Sequence, residues 1–267
     1  MKVLSFSIAG LVLGACDAHA DAPVFQVNFE HDAPGLYSRD AVARDFAKPD
    51  WSDGIDEGRA AIVADPAGGC GQVLRITYDA GQVGGGVIIP VALPRADELY
   101  LGYRVFFPAG FDFVKEGKLS GLCGGACNSG GVRPDGRDGW SSRILWQGSG
   151  RGAQYLYWPG QNGKYGDMPP WSGAGFATGV WHTVVTRVKM NHPGRADGIS
   201  ETWLDGRRVY VNRHVRWRDT TAFAIDSFRF ETFFGGGSAD YAPATPQTAY
   251  FDDIVVSRSK PAIVSDC

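Results

Sequence analysis

Apolar residues in this chain fall in short runs that alternate with polar ones, and almost none recur at the spacing of an amphipathic helix. The runs are rich in Val, Ile, Phe, Tyr and Trp, which suit a pleated, half-buried surface. That pattern argues against helix bundles and alternating strand–helix folds, and for an all-β architecture. The strand-like segments are 24–30, 59–64, 72–78, 86–91, 98–107, 141–147, 153–158, 181–190, 201–204, 207–211, 227–234 and 249–257. Thirty-seven glycines and fifteen prolines supply the turns between them. So many short strands predict a sandwich of two antiparallel sheets, a β-jelly roll. Residues 40–53 are polar and irregular, with room for a short helix. No linker or repeat interrupts the chain, so 21–267 are expected to form one domain.

The start reads as a targeting segment. Lys2 is followed by an apolar run over 3–15, too short to span a bilayer comfortably, and Ala18-His19-Ala20 is a cleavage site of the A-x-A kind. Leu13-Gly14-Ala15-Cys16 reads equally as a lipobox, which would end the leader at 15 and place a lipid anchor on Cys16. Either reading exports the protein, to the medium, the periplasm or a bacterial membrane surface. It leaves Cys70, Cys123, Cys127 and Cys267, an even number that suggests two disulfides in an oxidising compartment. Cys123–Cys127 would close a small loop and Cys70–Cys267 would pin the C-terminus. There is no Cys-x-x-Cys and no histidine at ligand spacing, so no metal is expected.

In 182–190, Thr183, Val185, Arg187 and Lys189 share one face. The other face is mainly apolar and should pack inward, so Arg187 and Lys189 point to solvent or into a cleft. Trp203-Leu204-Asp205-Gly206-Arg207 reads as a hairpin with an Asp-Gly turn.

The chemistry concentrates between Gly117 and Trp158. Ser141, Arg143, Leu145 and Gln147 alternate onto one strand face, and Tyr155 and Tyr157 onto one face of the next strand. Ile144, Trp146, Leu156 and Trp158 take the opposite, core-facing side. Gly148-Ser149-Gly150 suits a three-residue hairpin loop. Pairing Gln147 with Arg151 then sets Arg143 opposite Tyr155 and Ser141 opposite Tyr157, with Cβ atoms about 5 Å apart. A slip of one residue would turn the tryptophans outward, so the register is strongly specified. From Lys115 to Lys164 there are seven basic and three acidic residues, a net of +4, although the whole chain is −3. A negative chain with a local basic patch excludes a general nucleic-acid binder and favours an anionic ligand.

Lys, Arg, Ser and two Tyr without paired carboxylates do not suit glycoside hydrolysis. They suit β-elimination from a uronate. Cations and hydrogen-bond donors on the carboxylate stabilise the enolate-like intermediate, while a base removes the C5 proton and an acid protonates the departing O4. Tyrosine can do either if nearby cations lower its pKa from about 10. In β-mannuronate and β-glucuronate the C5 hydrogen and O4 lie on the same side, so one tyrosine can serve as both.

Gly117-Lys118-Leu119-x-Gly121-Leu122 with Gly124-Gly125, Ser141-x-Arg143 and Tyr155-x-Tyr157 together resemble polysaccharide lyase family 14, the β-jelly-roll alginate and glucuronan lyases. Trp181-His182-Thr183-Val184, Trp203-Leu204-Asp205-Gly206 and Thr232-Phe233-Phe234-Gly235-Gly236 resemble it too. The resemblance implies that Lys118 and Arg143 neutralise the uronate carboxylate, that Ser141 adds a hydrogen bond, and that Tyr155 or Tyr157 is base and acid. Tyr157 is favoured, and Lys118 stands as an alternative proton acceptor. Ser120 takes a place where the family usually has proline. Gln147, Arg187 and Lys189, with Asp240 and Tyr241 of the loop 235–243, are candidate substrate contacts. The expectation is a lyase on an anionic polysaccharide, poly-β-mannuronate first and glucuronan second, acting as a monomer and without a cofactor. The reading from another class is a non-catalytic carbohydrate-binding jelly roll, which would not require all five residues.

Overall fold

The alternation seen in the sequence resolves into two antiparallel sheets stacked face to face. The computed structural model describes residues 22–69 and 71–263. In chain order the elements are β1 (Phe25–Val27), β2 (Gly35–Leu36), α1 (Arg39–Asp45), β3 (Ala60–Ala64), β4 (Gln72–Tyr78), β5 (Val87–Ala96), β6 (Glu98–Phe106) and β7 (Glu116–Gly125). There follow β8 (Gly139–Gln147), β9 (Arg151–Tyr157), β10 (Pro170–Gly175), β11 (Trp181–Lys189), β12 (Gly198–Leu204), β13 (Arg207–Val215), β14 (Ile225–Phe234) and β15 (Gln247–Ser257). One sheet has six strands in the order β10-β9-β8-β7-β14-β5. The other has nine, in the order β13-β12-β11-β6-β15-β4-β3-β2, with β1 added against β15. The leader, Cys16, Cys70 and Cys267 lie outside the described residues.

The core fills the space between the sheets. Ile144, Trp146 and Leu156 enter it from the six-stranded sheet, and Val184 and Val188 from the nine-stranded one. Trp158 packs only at its edge and donates its indole N–H to Asp167 at 2.7 Å. A buried polar clasp crosses the core. Thr202 of β12 donates to the Gln154 side-chain oxygen at 2.7 Å, and Gln154 Nε2 donates to Ser142 Oγ and to the Arg143 carbonyl, both at 3.0 Å. Unpaired, these groups would each cost about 1–3 kcal/mol, so the clasp also fixes how β8 and β9 sit.

Three strands have no counterpart among the sequence segments: the two-residue β2, β7 and β10. The glycines of β7 look like loop residues, yet they are packing requirements. A Cβ on Gly117 would lie 1.9 Å from the Trp146 ring, and one on Gly121 would lie 2.6 Å from Arg143 Cα. Glycine is tolerated in a strand where another group approaches this closely.

Candidate active site

The outer face of the six-stranded sheet carries the predicted set. The β8–β9 register pairs Ser141 with Tyr157, Arg143 with Tyr155 and Gln147 with Arg151. That is the register derived from alternation and the three-residue turn. Lys118 joins from β7, opposite Leu145. The β7 ladder shifts register between Leu119 and Leu122. Ser120 sits in this bulge, and its hydroxyl accepts the Glu231 amide at 3.2 Å. A proline there has no side-chain acceptor, so the serine has a local role: it satisfies an amide that the bulge takes out of the ladder. Gly121 leaves the gap across which the Arg143 side chain reaches β14.

Each predicted cation already faces a carboxylate. Lys118 Nζ lies 2.5 Å from Glu116, and Arg143 Nη1 lies 2.6 Å from Glu231. Arg143 and Glu231 are both almost fully buried, at 3% and 1% exposure. Arg143 Nε is buried with no hydrogen-bond partner among the described residues. Arg229, on the same face of β14, makes no ion pair among the described residues, and its Nη1 donates to Ser129 Oγ at 3.2 Å. Three cations and two carboxylates therefore leave this face with a small positive excess.

Lys118 Nζ and the Arg143 guanidinium each lie 4.7 Å from the Tyr155 ring centroid. Tyr155 Oη is 3.2 Å from Tyr157 Oη. Burial pushes the Tyr155 phenol well above its ordinary value, the hydrogen bond to Tyr157 adds to this, and Arg143 only partly offsets both. At Tyr155 burial therefore outweighs the pull of the nearby cations. Burial also pulls Lys118 below the usual lysine range, against the opposing pull of Glu116.

Two loops roof the face. The Cys123–Cys127 disulfide closes the start of the first, which joins β7 to β8. Ser141, fully buried, donates its only hydroxyl proton to the Asn128 carbonyl at 2.7 Å. In this structure that hydrogen bond ties the loop to β8. Further along, the Gly131 amide donates to Tyr157 Oη at 3.0 Å. The second loop, between β9 and β10, brings Gly166 against the Tyr157 ring and Lys164 and Tyr165 against Gly131. Tyr157 is 0% exposed beneath them.

The remaining candidates separate. Gln147 stays on the Arg143 face but at its far end, where with Arg151 and Trp171 it lines a cavity of about 560 Å³. Gly235 abuts Lys118 Nζ, so the loop 235–243 does wall the site. Asp240 and Tyr241 lie at the rim, where Lys115 pairs with Asp240 and sits 5.1 Å from the Tyr241 ring centroid. Arg187 and Lys189 are not in this cleft. They belong to β11 of the other sheet and point away from the core, Arg187 bonding Glu98 and Glu201 at 2.8 and 2.6 Å. Alternation gave their face correctly but could not say which sheet the strand would join. His182 hydrogen-bonds Asp205 at 2.8 Å and pins the Asp-Gly hairpin. Among the described residues, no group of three or more His, Cys, Asp or Glu is placed to hold a metal ion.

Glu116, Arg229, Glu231 and the Gly131 amide escaped the sequence reading. The first three were within reach of it. Glu116 is two residues from Lys118, and Arg229 and Glu231 alternate with Phe228 and Phe230. No sequence pattern marks the Gly131 amide, which is set by how the loop folds back.

Comparison with known proteins places this geometry. The family model described as polysaccharide lyase 14 matches residues 69–254. The structure of a mutant of alginate lyase Aly36B in complex with alginate trisaccharide is 26% identical, covers 88% of this chain and 98% of that one, and superposes with a TM-score of 0.78. The marine PL-14 alginate lyase from Aplysia kurodai, 23% identical with a TM-score of 0.74 over 90% of this chain and 100% of that one, shares the fold. Exolysin of Paramecium bursaria Chlorella virus 1 is 23% identical over an alignment of 197 residues, which covers 62% of this chain and 30% of that protein. The chain thus spans less than a third of that relative's length.

Proposed function

The chain belongs to polysaccharide lyase family 14, and from that premise we propose that it cleaves a uronate polymer, poly-β-mannuronate alginate first, by β-elimination on the outer face of the six-stranded sheet. The observation that carries this reading is Arg143 Nε, a buried charged donor without a partner among the described residues, beside two phenols in mutual hydrogen-bond contact. A buried unpaired donor is costly unless a ligand uses it. A uronate carboxylate would take it. Arg143 has further donors beyond the one given to Glu231, and Lys118 has two beyond the one given to Glu116.

Tyr157 is the proposed base and acid. As a phenolate it would keep two donors on its oxygen, the Gly131 amide and the Tyr155 hydroxyl. Tyr155 suits the donor role because burial keeps it protonated. Tyr157 takes the C5 proton, and the C5 electron pair forms the C4–C5 double bond. The C4–O4 bond breaks, and the same phenol returns its proton to O4. Arg143 and Lys118 hold the carboxylate on which charge develops. The loops over Tyr157 must part to admit a polymer. Alginate as substrate is supported by the similarity to Aly36B, solved with an alginate trisaccharide. The Cys123–Cys127 disulfide supports an exported location.

Incubation with polymannuronate, polyguluronate and glucuronan, followed by the ultraviolet absorbance of the unsaturated uronate, tests the proposal. Absorbance should rise fastest on polymannuronate. A faster rise on glucuronan would reassign the substrate, and no rise on any polymer would overturn the reading.

A further inference from the structure

The nine-stranded sheet has a polar, aromatic face of its own, turned away from the core and so on the opposite side of the sandwich from Tyr157. Its centre is Glu201, only 2% exposed. Three guanidiniums converge on this one carboxylate: Arg187 and Arg213 at 2.6 Å and Arg208 at 3.5 Å. Tyr100 and Trp203 lie beside them with ring centroids 6.4 Å apart, and Lys260 Nζ sits 4.5 Å from the Trp203 ring centroid. Lys189 completes the set, 3.6 Å from Glu98.

Charge balance separates this face from an ordinary stabilising network. Five cations meet two carboxylates, Glu98 and Glu201, a net of +3 on a chain whose total is −3. One shared carboxylate cannot use all the donors of three guanidiniums. The surplus faces water, since the side chains of Arg208, Arg213 and Lys189 are 52%, 51% and 45% exposed. Planar donors pre-arranged by a buried carboxylate, next to flat aromatic rings, suit carboxylate-bearing sugar rings.

We infer that this face is a second, non-catalytic binding surface for an anionic polysaccharide. That its ligand is the uronate polymer cleaved on the other face rests on the proposed function; the surface itself rests on charge and aromatic geometry. Holding one stretch of polymer there raises the local concentration of other stretches at the cleft.

The test uses the full chain with ¹⁵N-labelled indoles in a Tyr157→Phe background, so that ligand persists. The Trp203 signal is assigned by Trp203→Phe. Titration with oligomannuronate at low salt should move this signal saturably. The same oligosaccharide with its carboxylates reduced to alcohols should leave it in place. Arg208→Gln with Arg213→Gln should weaken the response about tenfold, as expected for two exposed ionic contacts. The other indole signals check that this variant is folded, and Lys260→Ala supplies an independent variant that leaves Glu201 untouched. A Trp203 signal that stays fixed under oligomannuronate overturns the inference. So does one that moves equally with the neutral sugar, or one that is unchanged in its response by both variants. Cleavage is read separately by absorbance, so failure of the lyase reading leaves this outcome legible.

Discussion

Two faces of this sandwich carry nearly the same residues to different ends. On one, Arg143 bonds Glu231 beside Tyr155; on the other, Arg187 bonds Glu201 near Tyr100. What differs is cover. The first lies under two loops, one closed by a disulfide and tied to Tyr157 through the Gly131 amide, and its Arg143–Glu231 pair is almost dry. On the second, the segment 258–263 touches the sheet at Gly102 and Trp203, while Arg208 and Arg213 remain half exposed. A guanidinium paired with a carboxylate on the outer face of a sheet does not by itself mark a catalytic face. Burial raises the cost of any unmet donor or charge, and this sets Arg143 Nε apart from the half-exposed arginines around Glu201.

The sharpest way to break this contrast is to cut the dry pair. Arg143→Ala leaves the Glu231 carboxylate buried and alone, and should cost about 3–5 kcal/mol of stability, seen as a large fall in Tm. A loss below about 1 kcal/mol would mean that the pair is as well solvated as the outer ones.

Asp252 asks whether burial, rather than the choice of sheet, sets the behaviour. It lies on the outer side of the nine-stranded sheet yet is only 5% exposed, and burial, then neighbouring Asp253, raise its carboxyl to about 7. A raised acid pKa means that the folded state holds its proton longer than the unfolded chain does. Stability from this group is therefore full below the unfolded value of 3.8 and is lost as pH climbs to about 7. The cost above that pH is on the order of 4 kcal/mol, at about 1.4 kcal/mol per pH unit. Asp252→Asn should thus stabilise the protein at pH 8 but not at pH 4, and equal Tm differences at the two values would contradict the assignment.

Smaller effects follow. Ser120→Ala strands the Glu231 amide in the bulge and should cost about 1–2 kcal/mol in a denaturant titration. A neutral result would show that the amide finds another acceptor. Smallest is Arg213→Ala on the open face, below about 1 kcal/mol because Arg187 still holds Glu201. A loss comparable to that of Arg143→Ala would erase the distinction between the faces.

Much of the candidate face was legible in the sequence because one hairpin is over-determined. Ile144, Trp146 and Leu156 fix which side of β8 and β9 is dry, and the turn at Gly148–Gly150 fixes the pairing. The family motif added Lys118, whose strand alternation alone did not show, because Gly117 and Gly121 yield their side-chain space to Trp146 and Arg143. Alternation assigns a face within a strand but not a place within a sandwich. That is why the sequence does not show that Arg187 and Lys189 lie on the other sheet from Arg143. Nor does it report what folds over a face, so the commitment of Ser141 to Asn128 and the donor from Gly131 emerged only in three dimensions.

The most direct measurement compares wild type with Tyr157→Phe on polymannuronate, following unsaturated uronate by absorbance and the fold by near-ultraviolet circular dichroism. Removing one phenolic oxygen while keeping the buried ring should lower turnover at least about 10²-fold, the scale of a lost general acid–base, with the spectrum unchanged. Turnover within a few-fold of wild type would contradict Tyr157 as the proton carrier, and with it the proposed chemistry of this face.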